Sequence, residues 1–162
     1  MGDFDDLYRE IILDHYRSPR NRGELDSPPA HRVEGFNPLC GDEVVISLVV
    51  EDGTLSDLKI GGSGCSISQS SASLMSSAVK GKPLDEVHQL IHTFKGMMSI
   101  HEALLGQDGE DIEPEEINLE KLGELAALQG VVKFPVRIKC ATLSWNALAQ
   151  GLDEVAAGVA TP

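Results

Sequence analysis

Three cysteines and one aspartate carry the most distinctive chemistry in this sequence. Cys40 and Asp42 lie two positions apart in the stretch NPLCGDEVVIS, with one glycine between them. Cys65 follows the glycine-rich stretch GGSG, and Cys140 stands in the stretch RIKCATLSW. Three thiolates and one carboxylate can close a tetrahedral site around Zn²⁺. Because the intervening glycine lets the turn fold so that Cys40 and Asp42 point at one ion, the four side chains are candidate ligands of a single metal.

Two of the three cysteines are expected at the start of a helix. The sequence predicts helices over residues 65–79 and 135–155, which places Cys65 at the start of the first and Cys140 in the first turns of the second. The N–H groups and the positive end of the macrodipole at a helix N-terminus lower a thiol's pKa and favour the thiolate. Metal binding or thiol chemistry is therefore the leading interpretation. The alternative, three half-buried structural cysteines and a turn aspartate, stays open because the spacing contains no C-x-x-C pair.

The periodicity of apolar residues predicts a small α+β fold around these positions. Apolar side chains at helical spacing predict an amphipathic helix over residues 4–17, and Pro83 opens a further helix. The stretches VVISLVV and LSDLKIG are predicted to form a β-hairpin, because Asp52-Gly53 between them supplies the positive φ angles of a tight turn. HRVEGFN is predicted as a third strand. The stretch 106–118 is almost continuously acidic and is expected to be a solvated loop, with LEKLGELAAL docking helically beneath it.

Length and charge narrow the class of protein. A chain of 162 residues fits one domain, and no internal repeat divides it. Its net charge of −13 argues against a nucleic-acid backbone or an anionic membrane as partner. No signal segment opens the chain and no apolar run approaches a membrane span, so we expect a soluble, cytoplasmic protein. Three cysteines leave one over from any disulfide framework, and the cytosol would keep all of them reduced.

The remaining motifs are weaker. GGSGCS lacks the Lys-Ser/Thr of a P-loop, so an ordinary strand-to-helix turn is the better interpretation. His88 and His92 are four apart on one predicted helix, but no further ligand is nearby in sequence and a solvated pair is favoured. His15, His31 and His101 are expected to be polar surface or boundary histidines. No Ser-His-Asp arrangement is legible from spacing, which disfavours a hydrolase.

Four motifs in a fixed order connect the sequence to a known family. DHYRSPRNRG, NPLCGD, GSGCSISQSSASLM and RIKCATLSWNAL together resemble the U-type iron–sulfur cluster assembly proteins, the IscU/SufU family. The resemblance spans nearly the whole chain. It implies a compact α+β domain, with a small antiparallel sheet of about three strands and helices packed on one side. It also implies that Cys40, Asp42, Cys65 and Cys140 are the metal ligands.

Two features favour the SufU branch of that family. Where the scaffold type, IscU, carries a histidine directly before its last cysteine, this chain has Lys139. An additional acidic segment at about residues 106–128 lies between the central helices and the last motif. Both features resemble SufU, the zinc-binding sulfur-transfer branch. We therefore expect residues 1–162 to form a single U-type iron–sulfur assembly domain with this inserted segment and a frayed C-terminal tail.

The resemblance to SufU implies a zinc-dependent sulfurtransferase with one Zn²⁺ per chain. Such a protein accepts persulfide sulfur from a cysteine desulfurase (SufS-like) and passes it to a downstream scaffold complex (SufBCD-like). Cys40, on a loop, is the expected acceptor. Arg137 is expected to steady Asp42 or the released thiolate, the alternative being a plain surface arginine. Two other functions stay open: an IscU-like scaffold on which an Fe–S cluster is itself assembled by the same ligands, and a structural adaptor in which zinc only staples the fold.

Overall fold

The computed structural model describes residues 2–26, 30–38, 41–106, 123–133 and 135–158. Along the chain these residues form α1 (Gly2–Arg17), β1 (His31–Asn37), β2 (Asp42–Glu51), β3 (Thr54–Ser63), α2 (Ser66–Val79), α3 (Leu84–Gly106), a 3₁₀ segment (Gly123–Lys133) and α4 (Pro135–Ala156). The α+β class predicted from the sequence is confirmed.

The three strands form one antiparallel sheet in the order β1-β2-β3. The predicted hairpin between β2 and β3 is confirmed, since Asp52 and Gly53 at its turn have φ angles of 51° and 74°. HRVEGFN is confirmed as β1, and its last residue, Asn37, pairs with Asp42 at the start of β2. The sheet therefore brings the end of β1 and the start of β2 to the same place, on either side of the NPLCGD turn.

The helices cover one face of the sheet, as predicted. Alternate residues of the strands point into this layer and are buried, namely Val33, Val44, Ile46, Leu48, Leu58 and Ile60. Helix α4 lies close on β1 and β2 because it presents Gly151 to them. A Cβ atom at Gly151 would lie only 2.9 Å from the Leu48 side chain and 3.0 Å from that of Val33. The alternation and the small residue together fix how near α4 approaches the sheet.

Polar and aromatic contacts tie α2 to α4. The Ser71 hydroxyl donates to the carbonyl of Ala141 at 2.5 Å and accepts a hydrogen bond from the Trp145 indole at 3.1 Å. The Trp145 ring stacks on Phe94 of α3, with ring centroids 4.2 Å apart. All of these side chains are buried, so the hydrogen bonds satisfy groups that water cannot reach. The two helices that carry Cys65 and Cys140 are therefore held in a fixed relation.

The predicted helix spans agree with the structure where it describes them. The helices expected over residues 4–17, 65–79 and 135–155 correspond to α1, α2 and α4. Part of LEKLGELAAL lies in the 3₁₀ segment. Nearly all of the acidic stretch 106–118, and the end of the C-terminal tail, lie outside the described residues. In the part of the chain that the structure describes, no helix combines the length and the apolar character that a bilayer span requires.

Candidate metal centre

Three of the four predicted ligands lie together at the end of the sheet. Asp42 begins β2, Cys65 immediately precedes α2, and Cys140 lies in the second turn of α4. One carboxylate oxygen and the two sulfur atoms all lie within 4.8 Å of one another. Among the described residues this is the one group of three or more His, Cys, Asp or Glu side chains that is close enough to hold a metal ion. We call it the metal-ligand cluster.

The fourth predicted ligand, Cys40, lies outside the described residues, so its role as a ligand stays a prediction. Asn37, Pro38 and Gly41 of the same stretch are described. The carbonyl of Asn37 accepts a hydrogen bond from the Gly41 N–H at 2.8 Å, and Gly41 has a φ angle of 70°. Glycine adopts this left-handed conformation without the strain that a side chain would impose. The predicted need for a glycine between Cys40 and Asp42 is thus met by the backbone at Gly41.

Asp42 is both a candidate ligand and a structural tie. Its carboxylate is fully buried, and Oδ1 accepts the backbone N–H of Cys65 at 2.9 Å. The second oxygen, Oδ2, lies 4.0 Å from the Cys65 sulfur. Tetrahedral zinc would place an oxygen and a sulfur ligand about 3.5 Å apart, so this pair is close to binding geometry. Because Oδ1 is already engaged, the arrangement favours binding of a metal through Oδ2 alone.

Cys65 is the N-cap of α2. Its sulfur accepts the backbone N–H of Ser68 at 3.4 Å, and the Ser68 hydroxyl donates to the Cys65 carbonyl at 3.1 Å. A cap side chain satisfies one of the N–H groups that the first turn of a helix leaves unpaired. Cys65 is partly exposed. The cap therefore orients a sulfur atom that solvent can still reach.

Gly64 is a site residue that sequence reasoning missed. A Cβ atom there would lie 2.5 Å from Asp42 Oδ1 and would also clash with the Ser68 hydroxyl. The Asp42 carboxylate occupies the space beside Gly64 because it accepts a hydrogen bond from the Cys65 N–H. From the sequence, GGSG was interpreted only as a strand-to-helix turn. The Asp42 carboxylate that requires a glycine here comes from a distant part of the chain.

Cys140 is as fully enclosed as Asp42. Its side chain is fully buried, and the Asn37 side-chain amide donates to its sulfur at 3.8 Å. Sequence reasoning singled out Cys140 but not Asn37. The only available indication was that Asn37 opens the NPLCGD motif.

Arg137 lies beside the cluster, one turn before Cys140 on α4. Its guanidinium is exposed, and its pKa is raised above the ordinary value by the charge and hydrogen bonding of Cys65 and, to a smaller extent, of Cys140. The role expected for Arg137, steadying Asp42 or a released thiolate, stays a prediction; its described interactions are with the Cys65 and Cys140 sulfur atoms. Lys139 is also exposed, so two cations stand at the surface next to an anionic donor set.

Buried His15 of α1 and buried Ser73 of α2 form a second polar group with the exposed carboxylate of Glu124. His15 Nδ1 is 2.8 Å from the Ser73 hydroxyl, and Nε2 is 3.1 Å from the Glu124 carboxylate. The Ser73 oxygen also accepts the backbone N–H of Arg20 at 2.8 Å, so its proton is available to His15 Nδ1. In the tautomer with its proton on Nε2, His15 donates to Glu124. We call His15, Ser73 and Glu124 the histidine relay.

The histidine relay has the composition of a hydrolytic triad but not its exposure. Ser73 is buried, with 2% of its surface accessible, so its hydroxyl cannot meet a substrate. His15 is itself buried, so the expectation of a surface or boundary position for it was wrong.

The other histidines fall into two groups. His31 is also buried, and its Nε2 lies 2.8 Å from the Glu154 carboxylate. His88 and His92 are exposed on α3, as expected for a solvated pair. The side chain of His101 lies outside the described residues.

The chain is similar to known iron–sulfur cluster assembly proteins in sequence and in structure. The family model for the NifU-like N-terminal domain matches residues 7–152. The chain is 41% identical over 157 residues to the zinc-dependent sulfurtransferase SufU of Bacillus subtilis, covering 97% of each chain. It is 35% identical over 156 residues to the iron–sulfur cluster assembly scaffold protein IscU of Streptococcus pyogenes, covering 96% of this chain and 89% of that one. A crystal structure of an iron–sulfur cluster assembly scaffold protein for the SUF system from Fervidobacterium islandicum aligns with a TM-score of 0.74 at 29% identity, over 88% of this chain and 94% of that one.

Proposed function

This chain belongs to the family of NifU-like N-terminal domains, and on that premise we propose that it is a zinc-dependent sulfurtransferase of iron–sulfur cluster assembly. The observation that carries the proposal is the metal-ligand cluster, in which a buried carboxylate and two thiols from three distant segments meet within 4.8 Å. A buried carboxylate is strongly destabilising unless a positive charge or several donors compensate it. A metal ion bound at this point would supply that charge.

The donor set fits zinc. We propose one Zn²⁺ per chain, held by Cys40, Asp42, Cys65 and Cys140, because sulfur and carboxylate oxygen are usual ligands of tetrahedral zinc. Bound zinc would keep the thiolates deprotonated at neutral pH without redox chemistry of its own. The Cys65 cap, the burial of Cys140 and the Asp42–Cys65 hydrogen bond hold three of the donors in place.

We assign sulfur acceptance to Cys40. The Cys40 thiolate attacks the terminal sulfur of a persulfide on the donor enzyme, and a new S–S bond forms on Cys40. The S–S bond of the donor breaks, and the donor cysteine leaves as a thiolate with the electron pair of that bond. One thiolate is consumed and one is released, so the transfer needs no oxidant or reductant. Cys140 is fully buried and Cys65 caps a helix, whereas Cys40 belongs to the turn between β1 and β2.

Arg137 has a supporting role in this assignment. Its exposed guanidinium stands beside the sulfur atoms of Cys65 and Cys140, where a fixed positive charge offsets the anionic donor set. During transfer it can also attract the thiolate or persulfide that faces the partner.

The proposed partners follow from the chemistry. The donor is a cysteine desulfurase of the SufS type, and the product persulfide passes to an iron–sulfur scaffold complex of the SufBCD type. We place the reaction in the cytoplasm, where thiols stay reduced. We further propose that residues 1–162 form one domain, interrupted by the acidic segment at about residues 106–128.

A single experiment tests the transfer. The zinc-loaded protein is incubated with a cysteine desulfurase and cysteine, and mass spectrometry locates the added sulfur. We expect it on Cys40, and we expect Cys40→Ala to abolish stimulation of the desulfurase. Asp42→Ala removes a ligand but keeps the nucleophile, so zinc retention falls while sulfur still reaches Cys40. A persulfide on Cys65 or Cys140, with Cys40→Ala still active, contradicts the assignment.

A second candidate function is a scaffold on which an Fe–S cluster is assembled. It is favoured by the 35% identity to the Streptococcus pyogenes scaffold protein and by a donor set that also suits iron. Metal analysis and visible absorption of aerobically and anaerobically purified protein distinguish the two candidates. Colourless zinc protein under both conditions supports sulfur transfer, and a brown iron protein obtained without oxygen supports the scaffold. If the zinc-loaded protein fails to stimulate the desulfurase, the result supports a structural adaptor in which zinc only stabilises the fold.

A further inference from the structure

We propose that Asn37 is a positioning residue that keeps Cys140 as a permanent, unreactive ligand and so directs sulfur transfer to another cysteine. The inference rests on the proposed metal site but assigns a residue that the ligand set does not include. Its basis is the contact between the Asn37 side-chain amide and the Cys140 sulfur, 3.8 Å long and buried.

Asn37 joins two of the segments that form the site. It is the last residue of β1 and pairs directly with Asp42 across the sheet. Its backbone carbonyl accepts the Gly41 N–H, which closes the turn that contains Cys40. Its side chain reaches α4 and donates to Cys140. One residue therefore sets the turn through its backbone and touches a ligand through its side chain.

The chemistry of the position favours a neutral donor. Asn37 is 6% exposed, so its amide must find partners inside the protein. A hydrogen bond to a thiolate draws charge from the sulfur and makes it a weaker nucleophile, and outer partners of this kind also orient metal ligands. An aspartate in the same place would put a further anion beside Asp42 and Cys140, which are both fully buried.

The two described cysteines are restrained in different ways. The sulfur of Cys65 accepts the backbone N–H of Ser68. Only a substitution of Ser68 by proline would remove this N–H. The sulfur of Cys140 accepts a side-chain N–H, which a substitution can remove. Cys65 therefore serves as an internal reference when Asn37 is changed.

Two variants isolate the N–H donor. Asn37→Asp keeps the shape of the side chain but adds charge, and Asn37→Ala removes the side chain without adding charge. Both keep the backbone carbonyl that accepts the Gly41 N–H. What the two variants share is the loss of the Asn37 N–H that donates to the Cys140 sulfur. The control is Asn146→Asp, the same substitution at an exposed position of α4.

The measurements report on the sulfur atoms directly. Cobalt replaces zinc, and the sulfur-to-cobalt charge-transfer band is recorded; each cysteine's alkylation rate is then measured by mass spectrometry in the zinc-loaded and metal-free proteins. We expect the band to move to longer wavelength in both Asn37 variants, because the sulfur holds its electrons less tightly. We also expect faster alkylation of Cys140 with Cys65 unchanged, and about tenfold weaker zinc binding. Asn146→Asp should match the unaltered protein.

The outcomes separate this inference from the proposed function. If the unaltered protein binds neither zinc nor cobalt, the metal site and the inference both fail. If it binds metal and both Asn37 variants keep the original band and the original alkylation of Cys140, only the inference fails. If both variants fail to fold while Asn146→Asp is stable, Asn37 is a general structural residue and the inference is also overturned.

Discussion

The metal-ligand cluster and the histidine relay differ in how completely the protein satisfies their buried polar groups. The relay is closed: Ser73 bonds His15, His15 bonds Glu124, and the serine oxygen also accepts a backbone N–H. In the cluster, Asp42 accepts one N–H and faces the Cys65 sulfur, and among the described residues it forms no ion pair. The buried His15 and Ser73 of the relay find their partners within the protein, and the exposed Glu124 carboxylate also meets water. The cluster instead gathers anionic donors that a cation would complete.

The metal-ligand cluster and the histidine relay are separated along α2. Ser73 follows Cys65 by eight residues, which corresponds to about 12 Å along the helix. The same helix thus presents a metal ligand at its N-terminus and a structural hydrogen-bonding serine two turns later. The comparison predicts that disturbing the cluster changes metal binding and stability together, and that disturbing the relay changes stability alone.

Zinc removal is expected to have the largest effect. Zinc bound only by the folded state stabilises it by about 4 kcal/mol when free zinc is a thousandfold above the dissociation constant. For a domain of this size that corresponds to a loss of about 10 °C in melting temperature. Calorimetry of zinc-loaded and chelator-treated protein measures the difference. Cys65→Ser should show the lower melting temperature even with zinc present, and an unchanged melting temperature after complete zinc removal would show that the site is peripheral to the fold.

Much of the fold could be predicted because its helices, strands and turns follow from patterns of residues that are close in sequence. The Asp52-Gly53 turn and the alternation in β2 and β3 depend on neighbours in sequence, and the structure confirms them. The grouping of Asp42, Cys65 and Cys140 is not local, and it was predicted through the family resemblance together with the helix N-terminal positions of two cysteines.

What could not be predicted depends on approaches between distant segments. Gly64 is required by the close approach of the Asp42 carboxylate, which comes from 22 positions earlier in the chain. Likewise, His15 is isolated in the sequence, and its partners Ser73 and Glu124 lie 58 and 109 positions away. No spacing rule connects such residues, so the relay and the glycine became visible only in three dimensions.

Gly64→Ala is expected to have the next largest effect, on the cluster alone. The added Cβ would lie 2.5 Å from Asp42 Oδ1, so the carboxylate must move away from the Cys65 N–H. We expect a loss of about 2 kcal/mol in folding free energy, because a buried N–H loses its acceptor, and about tenfold weaker zinc binding. Chelator competition and denaturant unfolding measure the two quantities.

Gly61→Ala is the matched control for this substitution. Gly61 lies on β3, three positions before Gly64, and an added Cβ would meet its nearest neighbour at 3.6 Å, an ordinary contact. If Gly64→Ala binds zinc as tightly as Gly61→Ala, the Asp42 carboxylate can reposition freely, and the close packing at Gly64 has no part in the site.

His15→Ala should weaken the fold without weakening the metal site. It removes the ring that is hydrogen-bonded to both Ser73 and Glu124, and it opens a cavity where His15 is buried. We expect a loss of about 2 kcal/mol in unfolding free energy, with zinc affinity unchanged. His88→Ala, at an exposed position of α3, should stay within about 0.5 kcal/mol of the unaltered protein. A parallel fall in zinc affinity for His15→Ala would show that the two regions are coupled. It would contradict the expectation that the relay affects stability alone.

The smallest expected effect lies at the opposite end of α4 from Cys140, in the contact between Glu154 and His31. Hydrogen bonds from His31 first and Gln150 second hold the pKa of Glu154 below its ordinary value of 4.5. A carboxyl group whose pKa is lower in the folded state stabilises that state above its unfolded pKa, and this contribution is lost as the pH falls through the folded pKa. Glu154→Gln should therefore be slightly less stable than the unaltered protein at pH 7, and the difference should shrink below about pH 4.5 as the native carboxyl protonates. The comparison is made by denaturant unfolding of metal-free protein, because protonation of the zinc ligands would otherwise release zinc over the same acidic range. A stability difference that stays constant from pH 7 to pH 3 would mean that Glu154 acts through packing and not through its charge.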